Sequence, residues 1–244
     1  MKTVFLASVA AATLMAAPAL AQDAVGSAGM TYINSEVEGL NTDAARLDGV
    51  AAFNVAPEWT VTTAANVTYG KNVMGEDTVG SAAAHLTKTF ANDIRAGGFV
   101  AVSDVFGEDN FSVGAEIQKY YDAVTLTGVV AYTDAANTDL VSVGADVAYY
   151  VNPSLRLNAG ISHAELNTFD ADIQSVAYGA GAEYQFANSP FNVSASYTRT
   201  DIEGIDADTF MVGARYNFGG TLQSLDRAGA NLGRTFATFA NSVF

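Results

Sequence analysis

Apolar and polar residues alternate one by one through most of this chain, and this period of two is the feature that most constrains its fold. In residues 59–69, apolar residues such as Trp59, Val61 and Val67 alternate with small polar ones. Such alternation is typical of a β-strand that has one apolar and one polar face. Half of the residues are hydrophobic, yet after residue 21 no apolar run approaches the ~18 residues that a membrane-spanning helix needs. Any membrane-spanning role must therefore be carried by strands.

Twelve segments show this alternation and are predicted to be strands. They cover residues 25–34, 47–55, 59–69, 82–90, 94–102, 111–117, 124–132, 141–149, 155–161, 176–186, 191–197 and 210–218. The connections are predicted to alternate between short turns and long loops, and the long loops are residues 35–44, 70–78, 104–110, 134–139, 164–173 and 201–208. Long loops at one end and tight turns at the other are typical of an up-and-down barrel in a membrane.

The apolar face of the predicted strands decides between a soluble and a transmembrane barrel. Only Lys88, Lys119 and Arg199 place a charge on this face, and each lies near a strand end, where a long side chain can reach the lipid headgroups. Aromatic residues on the same face gather near both strand ends, as in the two girdles of a membrane barrel. The sequence therefore predicts an all-β fold: a transmembrane up-and-down antiparallel β-barrel of about 12 strands.

The last predicted strand carries the most specific pattern. In residues 209–218, Val212, Ala214, Tyr216 and Phe218 occupy alternate positions. With this strand the chain resembles the porin-like outer-membrane β-barrels of Gram-negative bacteria. The resemblance implies a place among outer-membrane lipids and lipopolysaccharide, and it implies that Tyr216 and Phe218 form the signal read by the barrel-assembly machinery. Members of that family commonly stop at the terminal Phe, whereas this chain continues for 26 residues.

Two terminal segments are predicted to lie outside the barrel of residues 22–218. Residues 1–21 combine one lysine, an apolar stretch and a final Ala-Leu-Ala, a layout typical of a cleaved secretory signal peptide. Residues 219–244 carry leucine and phenylalanine at spacings of three, four and seven, which predicts a short amphipathic helix. The sequence leaves open whether this C-terminal tail plugs the lumen, lies on the inner leaflet or is disordered in the periplasm.

Nine titratable residues fall on the polar parity of the strands, and we predict that they line the lumen. These pore-lining candidates are Arg46, Asp48, His85, Arg95, Glu116, Asp146, Arg156, Glu183 and Arg215. Twelve strands enclose a narrow lumen, wider than the filled interior of eight-stranded barrels. The candidates would face one another there, either around a constriction that passes solutes or in salt bridges that close the lumen.

The charge of the chain is unevenly distributed. The formal net charge is -15, and 17 of the 26 acidic residues lie in the six connections predicted to be long. A protein of this charge is a poor candidate for binding nucleic acid, and the absence of cysteine excludes disulfides and thiolate zinc sites. No calcium-loop pattern occurs, so the sequence predicts neither a metal site nor a cofactor. An acidic rim would instead concentrate cations near one mouth of the barrel.

An enzymatic role is not predicted. Outer-membrane phospholipases use a serine and a histidine on the lipid face, but His163 has Glu165 where that serine would be needed. We therefore expect a porin-like outer-membrane channel for passive diffusion of ions and small polar solutes, with a preference for cations. The alternative is a structural or surface-interaction barrel with a closed lumen and acidic extracellular loops. Neither the solute nor the oligomeric state follows from the sequence.

Overall fold

Twelve antiparallel strands close into a barrel in the computed structural model, which describes residues 24–72, 75–105, 108–135, 138–167, 172–232 and 234. The strands are β1 (Val25–Val37), β2 (Leu40–Ala56), β3 (Trp59–Asn72), β4 (Gly75–Phe90), β5 (Ile94–Val105), β6 (Glu108–Tyr120), β7 (Val124–Ala135), β8 (Thr138–Asn152), β9 (Leu155–Asn167), β10 (Asp172–Gln185), β11 (Phe191–Ile202) and β12 (Ile205–Phe218). Each strand pairs with its sequence neighbours, and β1 pairs with β12 to close the barrel. The predicted fold class and strand number are confirmed. The predicted signal peptide, residues 1–21, lies outside the described residues.

The outer surface of the barrel is apolar. Leu47, Ile161 and Tyr178 are 63%, 56% and 51% exposed, and they represent a set of large apolar side chains that points outward from every strand. Soluble monomers rarely expose contiguous apolar patches of more than a few hundred Å². A continuous apolar band around a closed barrel therefore matches a lipid environment, as the alternation predicts.

The two ends of the barrel differ. We call the end that holds Val25 and Phe218 the terminal end, and the end that holds the turns at residues 38–39 and 203–204 the acidic end. Exposed aromatic side chains ring both ends. The ring at the terminal end includes Trp59, Phe90, Tyr149, Phe186, Phe191 and Tyr216, and the ring at the acidic end includes Tyr32, Tyr69, Phe111, Tyr132, Tyr197 and Phe210.

The prediction of long loops at the acidic end is wrong. The strands continue through most of these segments, so that residues 35–44 contain only the turn Glu38-Gly39 and residues 201–208 only the turn Glu203-Gly204. In both turns φ is positive at both residues, 50° and 80° in the first and 53° and 88° in the second, as two-residue hairpins of type I′ require.

The strands also extend into the other four segments predicted to be long loops, and only two to four residues separate the paired strands there. Backbone pairing does not depend on an apolar side chain, so a ladder can continue above the lipid where both faces are polar. Alternation marks only the part of each strand that faces lipid. The acidic residues of this end therefore lie mainly on paired strands.

After Phe218 the chain turns back into the barrel. Gly219 and Gly220 have φ values of +89° and +153°, and a Cβ at Gly219 would lie 2.5 Å from Val25 Cγ1. Thr221 then begins helix α1 (Leu222–Arg227) with a capping box in which Thr221 and Ser224 each bind the other's backbone N–H. The predicted tail helix is confirmed over this range, whereas residues 235–244 of the tail lie outside the described residues. No helix in the described part of the chain is long and apolar enough to cross a membrane.

Candidate functional site in the barrel lumen

Helix α1 and the residues after it lie inside the terminal end of the barrel, and we call residues 221–232 the plug. Leu222 packs against the inward side chains of Ala148 and Tyr150 on β8. Leu225 packs against Ala52 of β2, which is almost completely buried. The apolar face of the predicted amphipathic helix is thus covered by the lumen wall.

Polar contacts hold the backbone of the plug. The guanidinium of Arg95 donates to the carbonyl of Arg227 at 2.9 Å and to the hydroxyl of Tyr120 at 3.0 Å. The hydroxyl of Thr62 donates to the carbonyl of Gly229 at 3.2 Å. Gly229 has φ +91°, and a Cβ there would lie 2.7 Å from Arg95 Nη1, so this close approach requires glycine.

A buried carboxylate fixes the plug from its other side. Asp226 is 1% exposed, and it accepts hydrogen bonds from the hydroxyl of Thr125 and from Asn231 Nδ2, the latter at 3.1 Å. Asn231 also donates to the hydroxyl of Tyr150 at 3.4 Å. Buried carboxylates are costly unless they are hydrogen-bonded, so these contacts specify the position of the plug.

An ion-pair network lies directly beyond the plug. Arg234 Nη1 donates to both carboxylate oxygens of Glu183, at 2.8 and 3.2 Å. Arg156 Nη1 lies 3.7 Å from Glu183 Oε2, and its Nη2 lies 3.7 Å from Asp146 Oδ2. Both distances are too long for a hydrogen bond. Burial lowers the pKa of the Arg234 guanidinium, and the Glu183 carboxylate opposes that shift.

A second ion pair crosses strand β1. Arg215 donates to both oxygens of Asp48, at 2.9 and 2.5 Å, and also to Ser27 Oγ at 3.1 Å. Gly29 of β1 stands in register with Arg215 on one side and with Asp48 on the other. A Cβ at Gly29 would lie 2.6 Å from Arg215 Cγ, so glycine at this position leaves room for the ion pair.

One side of the lumen is filled by side chains, and we call the inward face of β4–β7 the packed wall. Phe99 is 3% exposed and clusters with Val129 and Ala131. It also covers Gly114, where a Cβ would meet Phe99 Cζ at 2.3 Å. Beside it, His85 Nδ1 lies 2.9 and 3.0 Å from the two carboxylate oxygens of the buried Glu116.

The opposite side is lined by small side chains, and we call the inward face of β9–β11 the open wall. A cavity of about 190 Å³ lies against it. Its small inward residues are Gly160, Ser162, Ala177, Gly179, Ser194 and Ser196. The rest of its lining extends from Glu183 and Arg234 near the plug to Arg46 and Thr198 toward the acidic end.

The nine pore-lining candidates thus fall into three places. Six line the cavity, namely Arg46, Asp48, Asp146, Arg156, Glu183 and Arg215. His85 and Glu116 are buried in the packed wall, and Arg95 is bound to the plug. All nine belong to the interior of the barrel, while their role in a pore stays a prediction.

The sequence leaves open whether the tail plugs the lumen, and it does not identify which tail residues would contact the barrel wall. Asp226 and Arg234 are charged tail residues that the sequence pattern does not single out. The available signal was the Gly219-Gly220 pair directly after β12, which permits a sharp reversal, followed by the Thr221/Ser224 cap.

Among the described residues, the strand register places no serine beside His163 on the outer face. His163 stands in register with Val143 and Val176, and Ile161 and Glu165 are the next residues on its own face. Within the described ranges, no group of three or more His, Asp or Glu side chains is placed to hold a metal ion.

Residues 7–218 match the sequence profile of the outer membrane protein beta-barrel domain. The chain belongs to this family. The match ends at Phe218, so the plug and Arg234 lie beyond the shared domain. No curated relative matches the sequence at a significant level.

Several solved outer-membrane proteins share the fold at low sequence identity. An outer-membrane channel of Pseudomonas putida F1 is 12% identical with a TM-score of 0.65, covering 80% of this chain and 96% of its own. The NanC porin is 8% identical with a TM-score of 0.58, covering 77% and 98%. The CymD monoaromatic hydrocarbon channel is 11% identical with a TM-score of 0.56, covering 86% and 92%.

Proposed function

We propose that this protein is an outer-membrane channel for ions and small polar solutes, and that its own C-terminal tail closes the terminal end. The observation that carries the proposal is the contrast within the lumen between a polar cavity and a separate plug. The small residues of the open wall leave space in the lumen, which a path for solutes requires. The similarity of this chain to solved channel and porin structures supports the channel proposal at the level of fold.

The orientation follows from the features of the two ends. The terminal end faces the periplasm in this proposal, because the strands at the acidic end continue past the lipid-facing alternation, as the longer extracellular segments of outer-membrane barrels do. The signal peptide is removed on export, and Tyr216 and Phe218 on β12 serve the barrel-assembly machinery. The acidic end then faces outward, where divalent cations can bridge its carboxylates to lipopolysaccharide phosphates.

Cation preference is proposed for the barrel without its tail. The lumen candidates then comprise four arginines and four carboxylates, so their charges balance apart from His85. The acidic end supplies the excess negative charge, which attracts cations within roughly a Debye length, ~8 Å at physiological salt. Reversal potentials in a KCl gradient measure this preference directly.

Planar-bilayer recording tests the channel proposal. We expect the full chain to show small or rare unitary currents, and a chain that ends at Phe218 to show larger and persistent ones. Glu183→Gln should give an intermediate result, because it weakens the contact of the barrel with Arg234 and leaves the contacts of the plug itself in place. Absence of unitary current in all three proteins would overturn the channel proposal.

A closed structural barrel is the competing function, and the buried contacts of Asp226 favour it. It predicts that removal of the tail produces no current and lowers stability instead. We propose no catalytic role for His163. Lipid hydrolysis that is lost in His163→Ala would contradict this part of the proposal.

A further inference from the structure

The charges that line the cavity do not balance. Its lining includes four arginines, Arg46, Arg156, Arg215 and Arg234, and three carboxylates, Asp48, Asp146 and Glu183. A chain of net charge -15 therefore encloses a cavity of net charge +1.

The partners of the carboxylates show which arginine is in surplus. Asp48 is held at both oxygens by Arg215, and Glu183 at both oxygens by Arg234. Asp146 has Arg156 as its cation, at 3.7 Å. Each carboxylate of the cavity is thus accounted for without Arg46.

Arg46 is held on one side only. Its Nε donates to Thr68 Oγ1 at 3.1 Å, a contact that orients the guanidinium and leaves its two terminal nitrogens for other acceptors. No carboxylate lies within 4.0 Å of Arg46 in the part of the chain that the structure describes. The side chain of Arg46 nevertheless lines the cavity.

The neighbouring network also has unused hydrogen-bonding capacity. Arg156 is 9% exposed, yet its Nε has no hydrogen-bond partner among the described residues. Asp146 Oδ1, a buried acceptor of the same network, also has no partner among the described residues. Buried polar atoms without partners are uncommon in native proteins and point to water or a ligand that the protein chain does not supply. The hydroxyls of Thr31, Ser194 and Ser196 line the same space and can donate further hydrogen bonds.

We propose that this cavity is a binding site for a small monocarboxylate, with Arg46 as its principal cationic ligand. This inference rests on the proposed channel and names a substrate class for its lumen. Arginine binds carboxylates through two parallel hydrogen bonds, and one surplus guanidinium matches a single negative charge. A cavity volume of about 190 Å³ suits a small ligand.

The acidic end and this site have different effects on an anion. The negative charge of the acidic end lowers the local concentration of anions and slows their entry, while salt screens that effect beyond roughly 8 Å. Arg46 acts at contact distance inside the barrel, where screening is weak. The acidic end therefore favours the entry of cations, and the cavity retains a carboxylate once it has entered.

Acetate is a suitable probe because it is compact and singly charged. The test measures line broadening of 13C-labelled acetate by NMR with full-length protein in detergent micelles at constant ionic strength. We expect clear broadening that Arg46→Gln reduces at least fivefold and Arg46→Lys reduces less. Acetamide, the uncharged isostere, should show no broadening. Inorganic phosphate in a parallel 31P experiment should bind more weakly, because its higher charge exceeds the one surplus cation.

Arg199→Gln is the matched control. Arg199 lies outside the cavity, where it pairs with Asp206 and Asp208 near the acidic end, and its substitution changes the net charge equally. The proposal would be overturned if the Arg46 and Arg199 variants lost broadening equally, or if neither variant lost any. Tighter binding of phosphate would overturn the monocarboxylate assignment. Acetate binding without any unitary current would disprove the channel and leave the site intact.

Discussion

The packed wall and the open wall arise from the same strand alternation and differ in the size of their inward side chains. On the packed wall, Phe99 occupies the space above Gly114, and Val129 and Ala131 complete the cluster. On the open wall, Gly179 stands in register with Gly160 and Thr198, and a cavity remains. A glycine on the lumen side therefore creates space only where no large side chain on a neighbouring strand can fill it.

The largest expected effect of this difference is on stability. Phe99→Ala should lower the free energy of unfolding by about 3–5 kcal/mol, because it opens a void in a close-packed cluster. Ser196→Ala on the open wall should change it by less than about 0.5 kcal/mol. Urea unfolding in detergent measures both, and similar losses in the two variants would show that the walls are equally packed.

The sequence predicts the outer surface of the barrel better than its interior. The lipid-facing alternation placed all twelve strands, since every outward position has the same apolar environment. Interior space depends on pairs of residues that are close only after folding. Gly114 and Gly179 look alike in sequence, and the difference between them is Phe99, which lies on a neighbouring strand.

The acidic end and the plug illustrate two other limits of prediction. Polar residues around Glu38 and Glu203 resembled loops because the alternation that marks a lipid-facing strand stops there, whereas backbone pairing continues to a two-residue turn. The tail helix was predictable from its spacing of leucines. Its position depends on contacts such as that of Arg95 with the carbonyl of Arg227, which no sequence period encodes.

The polar pair of the packed wall, His85 and Glu116, is expected to give the next largest effect. Glu116→Leu should cost about 1–3 kcal/mol, because it removes the carboxylate that His85 contacts and leaves a buried ring nitrogen without that partner. The double variant His85→Leu/Glu116→Leu should recover most of the loss, since both polar groups are then absent. Urea unfolding of the single and double variants provides the measurement.

Arg46→Gln in the cavity is the counterpart of Glu116→Leu in the packed wall, because it also replaces one charged side chain of the lumen. It leaves no carboxylate without its cation, so we expect a change in the free energy of unfolding of less than about 0.5 kcal/mol. A cost for Arg46→Gln as large as that for Glu116→Leu would mean that Arg46 has a structural partner and would remove the distinction between surplus and paired charges.

A small effect on stability is also expected where a large side chain enters the open wall. Ser196→Trp projects into the cavity and should change the free energy of unfolding by less than about 1 kcal/mol, whereas Ala101→Trp overpacks a buried cluster of the packed wall and should cost about 1–3 kcal/mol. In the chain that ends at Phe218, Ser196→Trp should also lower the unitary conductance severalfold, because the indole occupies the space beside the open wall. Unchanged conductance together with unchanged stability would place the solute path elsewhere in the lumen, since a tryptophan in that path must displace either water or protein.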